Sequence, residues 1–322
     1  MRDHGGNLDE AMARHGGTAA DWIDLSTGIN RLPYPVPDVA MAAWRGLPTA
    51  DSLARLTQTA RAAYRAPGGA ILAIAGAQAS IQLIPRLGPP GRAAILAPTY
   101  NEHAAALRAA GWEVQEVSTL AELAGSGLAV VVNPNNPDGR RWPRMDLLDL
   151  CGSVGRLIVD ESFVDPEPEL SVCPQAGRPG LLVLRSFGKF YGLAGVRLGF
   201  VLGSTADVAA LAELAGPWPV SGPAITVGCA ALADAAWAAA TADRLNRDAH
   251  RLDRLALQAG WLPVGGTRLF RLYEVGDAQA AQVRLARRHI WSRAFPYAPT
   301  WLRLGLPGAD VEWQRLEAAL AR

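Results

Sequence analysis

A lysine on a glycine-rich turn is the residue of this sequence best suited to covalent chemistry. Lys189 has a hydroxyl three residues before it, on Ser186, and a guanidinium eight residues after it, on Arg197. A lysine amine forms a Schiff base with a carbonyl compound. A serine hydroxyl and an arginine guanidinium on the same turn are suited to binding a phosphate group. The spacing therefore predicts a site for a ligand that carries both a carbonyl and a phosphate.

Two side chains upstream of this turn make the prediction more specific. Asp160 follows the apolar run Leu157–Val159, where its carboxylate could pair with a pyridine nitrogen or serve only as a helix N-cap. Asn136 lies in a turn-forming segment, where its amide could donate to a phenolic oxygen or belong to an ordinary turn. Together with Lys189, these groups are what an enzyme needs to hold pyridoxal phosphate.

Further candidate cofactor contacts follow two other strand-like runs. Gly76, Ala77 and Gln78 come after one of them and open a helical pattern. Backbone N–H groups at such a helix start could meet a phosphate, although the same turn also fits a plain connection. Tyr100 comes after the next run and could stack on the cofactor ring, or be an ordinary half-buried aromatic residue. Each signal is weak alone, but their number and order favour a pyridoxal phosphate site.

The elements that must position these residues alternate along the middle of the chain. Short apolar runs, typical of strands covered on both faces, are separated by helical patterns such as 77–86 and 102–110. The runs are Ala70–Ile74, Ala93–Ala97, Leu128–Val132, Leu157–Val159 and Leu181–Leu184. The alternation predicts an α/β fold with a mainly parallel central sheet, in which ligands bind at the carboxyl ends of the strands.

The pattern changes after residue 205, which predicts a second domain. An alanine-rich helical stretch over about 206–260 is followed by strand-like pieces at Arg268–Tyr273 and Trp301–Leu306. We therefore expect a large cofactor-binding domain over residues 35–205 and a smaller α+β domain formed by residues 1–34 and 206–322. The first 34 residues are rich in glycine and proline, show little periodicity, and are expected to form an arm on the smaller domain.

Composition excludes several classes of partner. The chain has 322 residues and a net charge of +1, so neither nucleic acid nor a membrane surface is expected to bind it. Its three cysteines show no CxxC spacing and its five histidines are scattered, so no disulfide framework and no metal site is predicted. The polar N-terminus and the lack of an apolar stretch of about 20 residues predict a soluble cytoplasmic protein.

In its motifs the sequence resembles the fold-type I pyridoxal phosphate enzymes of the aspartate aminotransferase superfamily, over residues 28–303. Within that superfamily it is most similar to the threonine-phosphate decarboxylases of cobalamin biosynthesis, which are relatives of histidinol-phosphate aminotransferases. The motifs that carry the resemblance are His4–Asn7, Thr27–Asn30, Pro98–His103, Asn133–Gly139, Asp160–Phe163 and Ser186–Phe200. The first and third of these favour the decarboxylase branch.

The resemblance implies a role for each matching residue. Lys189 would form the Schiff base, and Asp160 would pair with the pyridinium nitrogen. The other cofactor contacts would come from Gly76, Ala77, Gln78, Tyr100, Asn136, Ser186 and Arg197. The substrate, a small phosphorylated amino acid, would be bound by His4, Gly5, Gly6, Asn30, Arg293 and Arg303. Arg303 would hold the substrate carboxylate, and a homodimer is implied as well.

Two positions depart from the pattern of the superfamily. Phe163 stands where aminotransferases usually carry a tyrosine that donates to the phenolic oxygen of the cofactor. Loss of that donor would raise the pKa of the internal imine. The segment Gly46–Thr49 lacks the tyrosine with which relatives reach the cofactor phosphate of the neighbouring subunit. The homodimer is still implied, but this contact between subunits is in doubt.

The resemblance implies decarboxylation of L-threonine O-3-phosphate to (R)-1-amino-2-propanol O-phosphate. The alternative is a histidinol-phosphate-type aminotransferase, because the same residues would serve both reactions. Serine phosphate is equally open as a substrate. A hypothesis from another class is a regulatory protein that uses this fold to sense a ligand. The intact Lys189 and the absence of a basic helix-turn-helix segment before residue 30 disfavour it.

Overall fold

The computed structural model of the protein describes residues 4–321. The α-helices in that range are α1 (Leu8–His15), α2 (Met41–Arg45), α3 (Ala50–Ala63), α4 (Ala77–Leu83), α5 (Asn101–Ala109), α6 (Arg144–Cys151), α7 (Phe187–Phe190), α8 (Thr205–Ala215), α9 (Gly222–Ala233), α10 (Ala235–Gln258), α11 (Ala278–Ala286) and α12 (Asp310–Leu320). The strands are β1 (Ile23–Asp24), β2 (Ala70–Ile74), β3 (Arg92–Leu96), β4 (Glu113–Val117), β5 (Leu128–Val132), β6 (Leu157–Asp160), β7 (Leu181–Ser186), β8 (Gly199–Gly203), β9 (Leu262–Gly266), β10 (Phe270–Glu274), β11 (Ile290–Trp291), β12 (Arg293–Phe295) and β13 (Ala298–Gly305).

The described chain divides into two compact units. Unit 1 comprises residues 4–33, 137–139 and 240–321, and unit 2 comprises residues 34–136 and 140–239. Helices α8 and α9 belong to unit 2, because α8 packs on β2 and α9 packs on α3. The domain boundary near residue 205 stays a prediction, whereas the compact units divide between residues 239 and 240.

A seven-stranded sheet forms the centre of unit 2. Its strand order is β2-β8-β7-β6-β5-β3-β4. The pairs from β7 to β4 are parallel, and only β8 runs antiparallel to its neighbours β2 and β7. Every residue of β5 is buried, as its continuous apolar sequence requires in a sheet that is covered on both faces. The α/β class and the mainly parallel sheet predicted from the sequence are confirmed.

The parallel strands bring the predicted cofactor residues to one edge of this sheet. Asp160 ends β6 and Ser186 ends β7, and these two strands are parallel neighbours. Tyr100 and Asn136 lie in the segments that follow β3 and β5. Because the carboxyl ends of parallel strands share one edge of a sheet, the topology of unit 2 collects these residues there.

Unit 1 is smaller and contains two sheets. An antiparallel sheet has the order β12-β13-β10-β9, and β1 pairs with β11 in a two-stranded parallel sheet. The N-terminal segment, for which the sequence shows little periodicity, contains helix α1. The side chain of Asn7 caps this helix by accepting a hydrogen bond from the backbone N–H of Glu10 at 3.2 Å. Ala11 of α1 packs in a small core with Trp22 and Trp291.

No single helix within residues 4–321 is long and apolar enough to cross a lipid bilayer. Helices α9 and α10 meet that length and composition only when they are counted together as a bent pair. The same described residues contain no group of three or more histidine, cysteine, aspartate or glutamate side chains that could hold a metal ion.

Candidate active site

Lys189 lies on α7, the short helix that begins directly after β7 ends at Ser186. Its Nζ is 5.9 Å from the centroid of the Phe163 ring. The turn requires glycine at position 188, since a Cβ there would lie 2.6 Å from the Cα of Ala194. Close backbone packing therefore fixes the predicted Schiff-base lysine at the carboxyl edge of the sheet.

The carboxyl group of Asp160 is buried, with 2% of the residue exposed. Its Oδ2 is 2.8 Å from Nε2 of His103, and its Oδ1 accepts hydrogen bonds from the backbone N–H and the hydroxyl of Ser162. Burial raises the pKa of Asp160. The contacts with His103 and Ser162 together lower this pKa by more than burial raises it, so the net pKa lies below the ordinary value. The site thus holds a carboxylate anion, which is what a protonated pyridine nitrogen needs as its partner.

His103 is a site residue that the sequence did not lead us to predict. It lies in the first turn of α5 and is buried, and its ring packs edge-on against Tyr100 at a centroid distance of 6.2 Å. The five histidines are scattered along the sequence without metal-ligand spacing, so that spacing does not single out His103. The usable signal was the three-residue spacing between Tyr100 and His103, which places both side chains on one face of the helix start.

The predicted phosphate-binding residues surround the start of α4. Arg197 has a left-handed backbone conformation, with φ of 54°, and a Cβ on Gly76 would lie 2.9 Å from its guanidinium. Ser186 pairs with Gly199 across β7 and β8, and a Cβ on Gly199 would lie 2.6 Å from the backbone nitrogen of Ala77. The first N–H groups of a helix have no partner within the helix. Here they stand beside a guanidinium in a cradle of the kind that binds phosphate.

The side chain of Gln78 connects this cradle to Tyr100. Its Nε2 donates to a carboxylate oxygen of Glu102 at 2.9 Å, and its Oε1 accepts from the Tyr100 hydroxyl at 3.3 Å. These two bonds hold the Tyr100 ring, the group predicted to stack on the cofactor. The backbone N–H of Gln78 remains the predicted phosphate contact.

Asn136 is half-buried in the segment that follows β5. Its neighbour Asn135 is fully buried and fixes the segment. The amide of Asn135 accepts from the Thr99 hydroxyl at 2.6 Å and donates to the carbonyl of Pro98 at 2.9 Å. The less buried Asn136 is thereby held at the same sheet edge as Asp160, as its predicted role requires.

The loop that follows β6 is anchored by a buried charge network. Glu161 accepts from the Ser171 hydroxyl at 2.6 Å and pairs with Arg185 at 3.1 Å. Arg185 also pairs with Asp165 at 2.6 Å. Burial raises the pKa of both carboxyl groups, and Arg185 offsets only part of this effect. The thiol of Cys173 lies 3.4 Å from Glu161.

In unit 1, the two arginines predicted to bind the substrate lie opposite each other. Arg293 on β12 and Arg303 on β13 are partners in the antiparallel register. The guanidinium of Arg303 donates to the backbone oxygen of Ser26 at 2.7 Å and lies 5.0 Å from the centroid of the Phe270 ring. Like charges directly opposite on a sheet are destabilising. The pair therefore suits a site for an anionic ligand.

Asn30, also predicted to contact the substrate, is buried in unit 1. Its Oδ1 accepts from Arg244 at 2.7 Å and from the backbone N–H of Leu32 at 3.1 Å. Arg244 in turn pairs with Asp248, one helical turn further along α10, at 2.9 Å. These bonds fix the orientation of the Asn30 amide. No sequence motif pointed to Arg244, because its partner is 214 residues away.

The predicted arm residues lie beside Ser26. The backbone N–H of Gly6 donates to Oγ of Ser26 at 2.7 Å, and a Cβ on Gly5 would overlap the carbonyl oxygen of Ser26. His4 and Gly5 line a cavity of about 290 Å³ within unit 1, and Arg293 lines it as well. The predicted arm and one predicted substrate arginine thus border the same space.

Residues 20–322 match the sequence profile of the family described as aminotransferase class I and II. The chain belongs to this family. A threonine-phosphate decarboxylase from Sinorhizobium sp. is 47% identical to it over 99% of this chain and 97% of that protein. A protein of the same name from Pseudomonas aeruginosa is 43% identical, with the same coverage. A histidinol-phosphate aminotransferase from Sinorhizobium meliloti, crystallised with pyridoxal-5'-phosphate, has the same fold, with a TM-score of 0.84, 21% identity and coverage of 97% of this chain and 92% of that one.

Unit 2 of this class I and II aminotransferase family member fits pyridoxal phosphate. The guanidinium of Arg197 packs against Gly76 where a Cβ would stand, which places this cation next to the first backbone N–H groups of α4, the two kinds of donor that bind a phosphate. The buried carboxylate of Asp160 could pair with the pyridine nitrogen, and the amine of Lys189 on α7 could react with the aldehyde. The three groups that distinguish this cofactor each have a complementary side chain or backbone at one edge of one sheet.

Proposed function

We propose that this protein is a pyridoxal phosphate-dependent decarboxylase. It would convert L-threonine O-3-phosphate to (R)-1-amino-2-propanol O-phosphate for cobalamin biosynthesis. The observation that carries the proposal is the 47% identity, over nearly the whole chain, with a threonine-phosphate decarboxylase. The buried Asp160 carboxylate and Lys189 support the same chemistry.

The bound cofactor would supply an electron sink for the electron pair of the broken Cα–carboxylate bond. The role of Asp160 is to keep the pyridine nitrogen protonated, and His103 and Ser162 keep Asp160 itself anionic. The amine of Lys189 would hold the cofactor through its aldehyde, and either this amine or a bound water would deliver a proton to Cα. The products are therefore carbon dioxide and an amine that has gained one proton at Cα.

The cationic residues of unit 1 support a substrate with two anionic groups. Arg303 would bind the carboxylate, and Arg293 would lie near the phosphate or the carboxylate. Asn30, fixed by Arg244, would add a polar contact, and His4, Gly5 and Gly6 would close over the phosphate. Arg293 and Arg303 are register partners on β12 and β13, so two cationic side chains lie on one face of this sheet, which supports the assignment.

The alternative reaction is transamination of a histidinol-phosphate-type substrate. It would use the same lysine and carboxylate, but Phe163 disfavours it. The phenyl ring beside Lys189 lacks the hydroxyl that aminotransferases of the superfamily usually direct to the phenolic oxygen of the cofactor.

The decisive experiment measures carbon dioxide release from L-threonine phosphate by the cofactor-loaded protein, without any keto acid. We expect release in the wild type and none in Lys189→Ala, because this variant lacks the amine that binds the cofactor. No release by the wild type, together with amino transfer from histidinol phosphate to 2-oxoglutarate, would instead establish the aminotransferase.

We further propose that the protein is a cytoplasmic homodimer. Met41, Trp44 and Leu47, on or next to α2, and Trp218 are large apolar residues that are more than half exposed. The start of α9, a few residues after Trp218, packs on the backbone of α2, because a Cβ on Gly222 would overlap a carbonyl oxygen there. A second copy of the chain would bury this surface. The three free cysteines are consistent with a reducing compartment.

A further inference from the structure

Ser292 carries a buried hydroxyl for which the described residues supply no hydrogen-bond partner. The residue joins β11 to β12 and is 1% exposed. Within residues 4–321, its Oγ has no hydrogen-bond partner. An unsatisfied buried hydroxyl costs folding free energy, and such a group in a native protein calls for an explanation.

The backbone of Ser292 is held by contacts on both sides of the residue. The side-chain amide of Gln282 donates to the carbonyl oxygen of Ser292 at 2.7 Å, and both residues are buried. Trp291 before it belongs to the parallel pair β1–β11, and Arg293 after it belongs to the antiparallel sheet. The hydroxyl therefore lies where the chain passes from one sheet of unit 1 to the other.

Ser292 lines the cavity of about 290 Å³ that the arm residues and Arg293 also border. The charged lining includes Glu10, whose carboxylate is 2.7 Å from the guanidinium of Arg14. Among the described residues, two arginines, Arg14 and Arg293, and one carboxylate residue, Glu10, line this cavity. A hydroxyl donor in such a setting suits a phosphate, whose oxygens accept strong hydrogen bonds from neutral and cationic donors.

We propose that Oγ of Ser292 donates a hydrogen bond to the phosphate of the substrate. This inference rests on the proposed function and adds a specificity-determining residue to it. The hydroxyl would favour phosphorylated over unphosphorylated amino acids, because an unphosphorylated amino acid lacks the group that accepts this hydrogen bond. Binding of the phosphate would also give the Ser292 hydroxyl the hydrogen-bond partner that the described residues do not supply.

The test compares Ser292→Ala with the wild type, both loaded with pyridoxal phosphate. For L-threonine phosphate, we expect KM to rise about 10- to 100-fold in the variant, the range of one hydrogen bond to a charged acceptor. We expect kcat to change far less, because the reacting atoms keep their partners. Calorimetric binding of unphosphorylated L-threonine should be the same for both proteins. An unchanged KM, or equal weakening of both ligands, overturns the proposal.

A stability measurement separates this role from a structural one. Ser80 has another buried hydroxyl without a partner in the described chain, and Ser80→Ala is the matched control for stability. Both variants should unfold at a temperature no lower than the wild type, because each loses an unsatisfied polar group. A lower unfolding temperature for Ser292→Ala would mean that the hydroxyl already has a partner in the protein, and would overturn the proposal.

The two proposals fail in different ways. If the wild type binds L-threonine phosphate but releases no carbon dioxide, the proposed reaction is wrong. The ratio of dissociation constants for phosphorylated and unphosphorylated threonine, measured for the wild type and Ser292→Ala, then still tests the role of Ser292. If carbon dioxide is released and that ratio is the same in both proteins, only the inference about Ser292 is wrong.

Discussion

Two opposing effects act on the pKa of the Asp160 carboxyl group, namely burial and hydrogen bonding. Burial alone would favour the neutral acid, which could not support a protonated pyridine nitrogen. The contact with His103 and the two hydrogen bonds from Ser162 reverse this preference. The sequence predicted the carboxylate from its place after an apolar run. It could not predict the histidine, because 57 residues separate the two partners and only the fold unites them.

Replacing His103 should change how activity depends on pH. In His103→Ala, Asp160 remains buried but loses the contact that lowers its pKa, so that pKa rises. The carboxylate is then protonated at a higher pH, and the acidic limb of the kcat profile should move to higher pH. At the acidic end, kcat should fall about tenfold below the wild type.

The measurement is kcat with L-threonine phosphate across the acidic and neutral range. His250→Ala serves as the control, since His250 is exposed on α10, and it should retain the wild-type profile. A His103→Ala enzyme whose kcat falls equally at every pH would show that the histidine does not act through the charge of Asp160.

Among the elements, the sequence predicted best the strands that are buried on both faces. The apolar run at Leu128–Val132 coincides with β5, because burial on both faces demands apolar residues throughout. β4 escaped prediction because it is an edge strand with the polar sequence Glu113–Val117, most of which is exposed. β8, at Gly199–Gly203, begins at the end of the Ser186–Phe200 motif and was not predicted as a strand. Its conformation depends on pairing with β2 and β7.

The buried network of Glu161, Asp165 and Arg185 is expected to contribute most of the stability of the loop that follows β6. Arg185→Met would leave Glu161 and Asp165 buried without their cation, so we expect it to lower the free energy of unfolding by about 3–5 kcal/mol. Arg108→Met removes an ion pair with Glu116 in which both side chains are about half exposed. That control should cost no more than about 1 kcal/mol.

Denaturant unfolding of the cofactor-loaded proteins at equal concentration provides the comparison, because ligands and subunits shift apparent stability. Equal destabilisation by the two substitutions would mean that the buried network contributes no more than a surface pair.

At the scale of the whole molecule, the exposed apolar surface around α2 is the feature that a single chain does not explain. Trp44 is 63% exposed and Leu47 is 66% exposed, although tryptophan and leucine usually lie inside. The sequence implied a homodimer only through its resemblance to a family. The structure adds particular residues that a dimer would bury.

Trp44→Asp should therefore weaken self-association. A buried tryptophan at an interface commonly contributes about 2 kcal/mol or more, and a charge in its place adds a desolvation cost. Light scattering coupled to gel filtration should give the wild type twice the chain mass of 34.1 kDa, and should give the variant a mass near that of one chain. Val311→Asp replaces another exposed apolar residue, at the start of α12, and should leave the mass unchanged. A wild type that elutes with the mass of one chain contradicts the proposed dimer.

The surroundings of Cys173 also have a chemical consequence. Burial raises the pKa of its thiol, and the neighbouring Glu161 carboxylate raises it further, so almost none of it is the reactive thiolate. The residue is also fully buried, beyond the reach of peroxides and alkylating reagents. Oxidation can reach this sulfur only after the loop behind β6 has opened. The rate at which Cys173 is modified would therefore report how often this loop of the cofactor-binding unit opens.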